Sequence, residues 1–151
     1  MWALNPKIDY FESLKYNFRY IWAFWIKINK NLETEVDILD TDKIKIPQDV
    51  FDIAEERLLS NPGKYSGANF RCQFDIAGEN GDQWYILVND KKKEVSKGVM
   101  ENPISTLIMK EPDFIKLVLG KLNVPMAFFT GKIKIKGDRN HIIKLAETLL
   151  A

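Results

Sequence analysis

Hydrophobic positions near the start of the chain recur at steps of three and four. Phe11, Leu14, Phe18, Ile21, Trp22, Trp25 and Ile28 form one apolar stripe, which predicts a long amphipathic helix over residues 6–30. Pro6 suits the first helical position, with Asn5 before it as a cap. Tyr10, Tyr16, Tyr20 and Phe24 widen the stripe and make it strongly aromatic. The polar stretch NKNLETEVDILDTDKIK (29–45) reads as a connection. A second helix is expected from Pro47 to about Leu59, with Val50, Phe51, Ala54 and Leu58 facing inward, and Asn61-Pro62-Gly63 ends it.

The period then changes from helical to two. Phe70, Cys72, Phe74 and Ile76 alternate with Arg71, Gln73 and Asp75, the signature of a half-buried strand. Glu79-Asn80-Gly81-Asp82 is a hairpin turn, and QWYILVND (83–90) is the return strand. Trp84, Ile86 and Val88 share one of its faces; Tyr85 and Leu87 share the other, which allows cover on both sides. Lys91-Lys92-Lys93 turns the chain into a third, more polar strand over 94–100. NPISTLIMKEPDF (102–114) passes from a turn through a short apolar strand into a helix over 112–122. After Pro125 come an apolar run (126–129), a strand within FFTGKIKIKGD (128–138), and Asp138 as the cap of a last helix over 140–150. The succession of elements is an α+β pattern.

Composition removes function classes rather than naming one. The 151 residues fit one folding unit with a real core, and a net charge of +1 supplies no global pull toward nucleic acid or anionic lipid. Cys72 is the sole cysteine, which fits a reducing, cytoplasmic setting. The first residues show no basic start, apolar run and small-residue cleavage site in succession, so no secretory leader is expected. The apolar run Ile21 to Ile26 is far short of the roughly 20 residues of a membrane span.

Catalytic candidates are few. His141 is the only histidine and reads as a surface residue at a helix start. Cys72 lies on the apolar side of its strand, where thiols are inert packing groups. DILDTD (37–42) lacks the glycine and terminal glutamate of a calcium loop, and no phosphate-binding glycine motif occurs. No metal, no cofactor and no catalytic activity are expected. Lys132, Lys134 and Lys136 suggest nucleic acid, yet the residues between them, Ile133 and Ile135, point the opposite way. A single-strand-binding sheet puts aromatics on the same exposed face as its cations. The lysines are expected to be the wet side of a strand, where they also discourage edge pairing, and nucleic acid is not expected as a partner.

The segments FDIAGENGDQWYILVND (74–90) and STLIMKEPDFIKLVLGKLNVPMAFFTGKIKIKGD (105–138), with the closing apolar helix, resemble the sterol carrier protein (SCP2-like sterol-binding or lipid-transfer) family. The most specific element is Gly120-Lys121-Leu122, then a proline, an aromatic-rich stretch and the strand Gly131-Lys132-Ile133-Lys134-Ile135-Lys136-Gly137-Asp138. The resemblance implies an α+β fold whose five-stranded, largely antiparallel mixed sheet carries helices on one face, over an apolar tunnel. It implies a lipid-binding domain over 46–151, with 1–45 as a helical extension and connection. It further implies non-enzymatic binding or transfer of a fatty acid, acyl-CoA, sterol or isoprenoid-like ligand. Phe74, Trp84, Ile86, Leu107, Phe114, Leu117, Leu122, Met126, Phe128, Phe129 and Leu149 are then the expected lining. The alternative is an accessory interaction module with a filled core. The N-terminal helix lies outside the resemblance, and three roles fit its stripe. These are cover or homodimer contact, peripheral membrane contact through Trp22 and Trp25, and docking to a partner enzyme.

Overall fold

The computed structural model describes residues 42–150, without the side chain of Leu150. The expected helix over 6–30, with its dimer, membrane and docking roles, lies outside the described residues. The first helix, α1, is Pro47–Ser60. Proline at its first position sacrifices no helical hydrogen bond. The Asp49 carboxylate accepts from the backbone N–H groups of Lys45 and Ile46, each at 2.9 Å, and so holds the chain entering the helix. Phe51, Ala54 and Leu58 are buried, as their spacing requires, and Val50 is half-buried.

After a single tight helical turn (Pro62–Tyr65), the alternating segment forms β1, Phe70–Ala77. It turns back as β2 (Asp82–Val88) and again as β3 (Lys93–Lys97). The Asn89 side chain accepts from the N–H groups of Lys91 and Lys92, which builds the second turn. The third strand stops at Lys97 rather than Met100. Gly98 takes φ 127°, and the chain leaves the strand there. There Gln73 donates to the Gly98 carbonyl (3.1 Å) and accepts from the Met100 N–H (2.7 Å). That pairing explains why a glutamine in β1 is 3% exposed.

β4 (Ser105–Lys110) then pairs parallel with β1, setting Phe74 beside Leu107, and β5 (Lys134–Gly137) pairs antiparallel with β4. The five-stranded sheet has the order β3-β2-β1-β4-β5, the mixed, largely antiparallel arrangement expected. Register aligns Trp84, Phe74, Leu107 and Ile135 in one row across β2, β1, β4 and β5. The sheet's helical side follows from that row. Gly137 closes β5 with φ 80°, and a side chain there would collide with the Ile104 carbonyl, so the position admits only glycine without strain.

The helix after β4, α2, is Glu111–Val118, shorter than the expected 112–122. Gly120, at φ 70°, turns the chain out of the helix. The Glu111 carboxylate accepts from the backbone and side chain of Asn80 (2.9 and 3.1 Å), pinning the start of α2 to the β1–β2 hairpin. The run after it is no simple apolar linker but a short helix, α3, Val124–Phe129. Its Asn123 cap accepts from the Met126 N–H at 3.1 Å. The last helix, α4, is Arg139–Leu150, with Asp138 accepting from the Asn140 N–H at 2.9 Å as expected of a cap. α1 packs across β3, α4 lies over β1 and β4, and α1 touches both α2 and α4.

At the centre stands Phe51. Its ring lies flat on Trp84 (4.7 Å between centroids, 11° between planes) and parallel to Phe114 (5.8 Å), and meets Phe74 edge-on at 5.2 Å. Offset and edge-on contacts of this kind add to the area burial of each ring.

Candidate functional site: an apolar cavity between sheet and helices

Large rings on α1 and α2 hold the helices off the sheet, and the space left is a cavity of about 160 Å³. Its floor is Phe74, Ile86, Leu107 and Ile135 from the sheet, with Ile133 just before β5. α1 contributes Val50, Phe51, Ile53, Ala54 and Arg57; α2 contributes Phe114, Leu117 and Val118; α3 contributes Val124 and Phe128. α4 forms the longest wall, with Arg139, Asn140, Ile142, Ile143, Leu145, Ala146 and Leu149. Arg57, Arg139 and Asn140 are the polar members of this lining. Arg139 and Asn140 are exposed, so the lining reaches the surface at that end of α4. Arg57 is at the other end, where its guanidinium donates to the Leu149 carbonyl at 2.6 Å. Burial lowers its pKa, against the raising effects of Tyr65 and Glu56. Enclosed cavities of this order lined by hydrocarbon alone stay dry and admit apolar guests; this lining adds the three polar side chains and an open end.

Of the residues expected in the lining, Phe74, Ile86, Leu107, Phe114, Leu117, Phe128 and Leu149 stand on the cavity wall. Four do not. Trp84 is 1% exposed but sits behind the wall, stacked on Phe51, with its Nε1–H donating to Gln48. Leu122 is buried elsewhere in the core, because the turn at Gly120 takes it off the inward stripe of α2. Met126 (58% exposed) and Phe129 (74% exposed) face outward. The helical period of α3 turns Val124, Ala127 and Phe128 inward and leaves those two outside. Phe51 and the α4 wall are the main omissions. Their signal was present in the inward stripes of both helices, which say "buried" without saying which neighbour leaves a gap.

Neither candidate for chemistry lies on the wall. Cys72 is fully buried, and its pKa is pushed up to about 11 by burial, with the Ser105 hydroxyl at 3.4 Å opposing. A thiol in that state is not a nucleophile. His141 is no mere surface residue. It is half-buried, its Nε2 accepts from the Arg71 backbone N–H at 3.0 Å, and its ring lies 5.4 Å from Phe70. This contact ties the start of α4 to the start of β1. An accepting Nε2 must be unprotonated. Burial lowers the His141 pKa; Asp138 opposes this and Lys144 reinforces it. The unfolded chain therefore takes up the proton first, at a pKa of about 6.5. The stabilisation is complete above that value and is lost as pH falls through the lower folded one. Thermal unfolding at about pH 7 and about pH 5 is expected to show a larger fall in Tm for the native chain than for His141→Gln. Equal falls would exclude this role. Among the described residues no group of three or more His, Cys, Asp or Glu side chains is placed to hold a metal ion.

The model of the SCP-2 sterol transfer family matches residues 51–150. A curated relative, Hydroxysteroid dehydrogenase-like protein 2 of Xenopus laevis, is 35% identical over 98 residues. That match covers 64% of this chain but 22% of the relative, so the chain spans under a quarter of that protein's length. The apo form of Sterol Carrier Protein 2 from Yarrowia lipolytica has the same fold at a TM-score of 0.56. It is 23% identical, and the match covers 66% of this chain and 86% of that one. The sterol carrier protein domain 2 of Helicoverpa armigera is 29% identical at a TM-score of 0.53, covering 66% of this chain and 82% of that one. A match of this extent, on a five-stranded sheet with helices on one face and an apolar hollow between them, makes this chain a member of the SCP-2 sterol transfer family.

Proposed function

We propose that the chain is a non-enzymatic carrier that takes a hydrophobic lipid, such as a fatty acid, acyl-CoA, sterol or isoprenoid-like molecule, into the cavity beneath α4. The observation that carries this reading is the lining itself, hydrocarbon apart from Arg57, Arg139 and Asn140. Transfer of each methylene from water into such a wall is worth about 0.8 kcal/mol, enough for capture without chemistry. A hollow of about 160 Å³ is of the size that admits a single ring, so a long chain or sterol enters only as α4 and α1 move apart. The test is native mass spectrometry of gently purified protein, followed by titration with a long-chain fatty acid and a sterol. A co-purified or titratable apolar ligand is expected; a protein that arrives empty and ignores both ligands would overturn the carrier.

A second reading draws on the Xenopus relative, in which the matched stretch is a minor part of a chain named as dehydrogenase-like. On that reading the fold is an accessory module that presents lipid to a partner enzyme. It predicts ligand binding as well, but faster ligand turnover by the enzyme when the carrier is added.

A further inference from the structure

Four large hydrophobic side chains are strongly exposed among the described residues, and two of them, Met126 and Phe129, lie three positions apart on α3. That spacing puts both on one side of the helix. Isolated exposed apolar residues are ordinary on any surface, so the pair alone means little. Its electrostatic setting is what distinguishes it. From Phe114 to Gly137 the chain carries five lysines and no aspartate or glutamate, although the whole molecule is almost neutral. Lys121 is exposed on the approach to α3, and Lys132, Lys134 and Lys136 are exposed after it. Lys134 folds back over the turn that follows Phe129, its Cε 4.0 Å from where a side chain on Gly131 would begin. Asp113 and Asp138 flank this stretch; the Asp113 side chain is held by Lys132 at 3.8 Å and is 13% exposed, and Asp138 caps the next helix. An exposed aromatic and a flexible thioether, on a stretch of chain whose charges are all lysine, complement a surface that is negative outside and hydrocarbon beneath. Lysine arms lie along such a boundary with their ammonium groups at the headgroups.

We infer that α3 is a docking tip for an anionic lipid bilayer, with Met126 and Phe129 entering the headgroup layer and Lys121 and Lys134 contacting acidic headgroups. The opposite side of the same helix supplies Val124 and Phe128 to the cavity wall. One six-residue helix therefore separates bilayer from cavity. Docking and carriage are nevertheless separable, because vesicle partition is read without reference to what the cavity holds.

The experiment is sedimentation of the full chain with vesicles of phosphatidylcholine alone, or of equal parts phosphatidylcholine and phosphatidylglycerol. The native chain is expected to prefer the anionic vesicles. Phe129→Asp should lower its partition into them about tenfold or more, and Lys121→Glu/Lys134→Glu should lower it by several-fold per charge. Met126→Asp serves as a second apolar probe, and an unchanged Tm verifies that each variant is folded, as the exposure of these positions predicts. The proposal is overturned if both apolar variants bind like the native chain, if neutral and anionic vesicles bind equally, or if neither binds. Failure of the carrier hypothesis would instead show as absent ligand uptake with vesicle binding intact.

Discussion

Ala146→Phe is expected to abolish lipid uptake while leaving the fold in place. Ala146 stands on the α4 wall of the cavity, opposite the floor set by Phe74 and Leu107. The hollow measures about 160 Å³, and cavities of about 150 Å³ are the size that a single benzene occupies. A phenyl group grown from Ala146 therefore takes the place of the guest. Displacing even four methylenes of an acyl chain forfeits about 3 kcal/mol, about a hundredfold in Kd. Stability should stay level or rise, because the new ring fills a gap instead of overpacking a full core. Isothermal titration of fatty acid against both proteins, with thermal unfolding alongside, checks the pair of outcomes. Ala54→Phe, from the facing helix α1, should behave alike. Undiminished affinity in both variants would place the lipid site elsewhere.

Trp84→Ala should do the reverse. Trp84 is 1% exposed, lies flat on Phe51 at 4.7 Å and has a lysine, Lys97, 5.5 Å above its ring. Truncating a buried tryptophan costs about 3–5 kcal/mol, from lost transfer energy and the void left behind. A fold of this size has only about 5–15 kcal/mol in total. The urea midpoint should therefore fall by about 2 M. Because the indole is behind the cavity wall rather than on it, molecules that remain folded should retain most of their lipid affinity. A loss of affinity without a loss of stability would mean that Trp84 meets the ligand after all, and that Phe51 moves aside to let it.

Those two residues also show where sequence reading stops. Alternation from Phe70 to Ile76 was enough to fix a strand and its buried side, and Pro47 and Asp138 marked helix starts, whereas the helix expected over 112–122 stops at Val118. The lining was harder. Trp84 and Phe74 carry the same signal of an inward position on adjacent strands, and only the placement of Phe51 decides which of them meets empty space. Met126 and Phe129 were misplaced for a different reason. The apolar run 126–129 carries no period long enough to show its faces, whereas Asn123 caps a helix that turns two of its residues to solvent. His141 was undervalued because its acceptor role depends on Arg71, seventy positions away. A cavity is a property of what is missing between elements, and no single residue announces it.

The parallel pairing of β1 with β4 has a consequence for the order in which the molecule is made. β1, β2 and β3 are neighbours in sequence and can pair as soon as they leave the ribosome. The remaining walls, from β4 through α2, α3 and β5 to Leu149, all come later, and α4 supplies the longest of them. Early in its life the nascent chain is thus a half-built sheet whose inner face, among the described residues, has only α1 to cover it. Enclosure of the cavity waits for α4, so the fold begins as an open tray and gains its last wall at the end of this region.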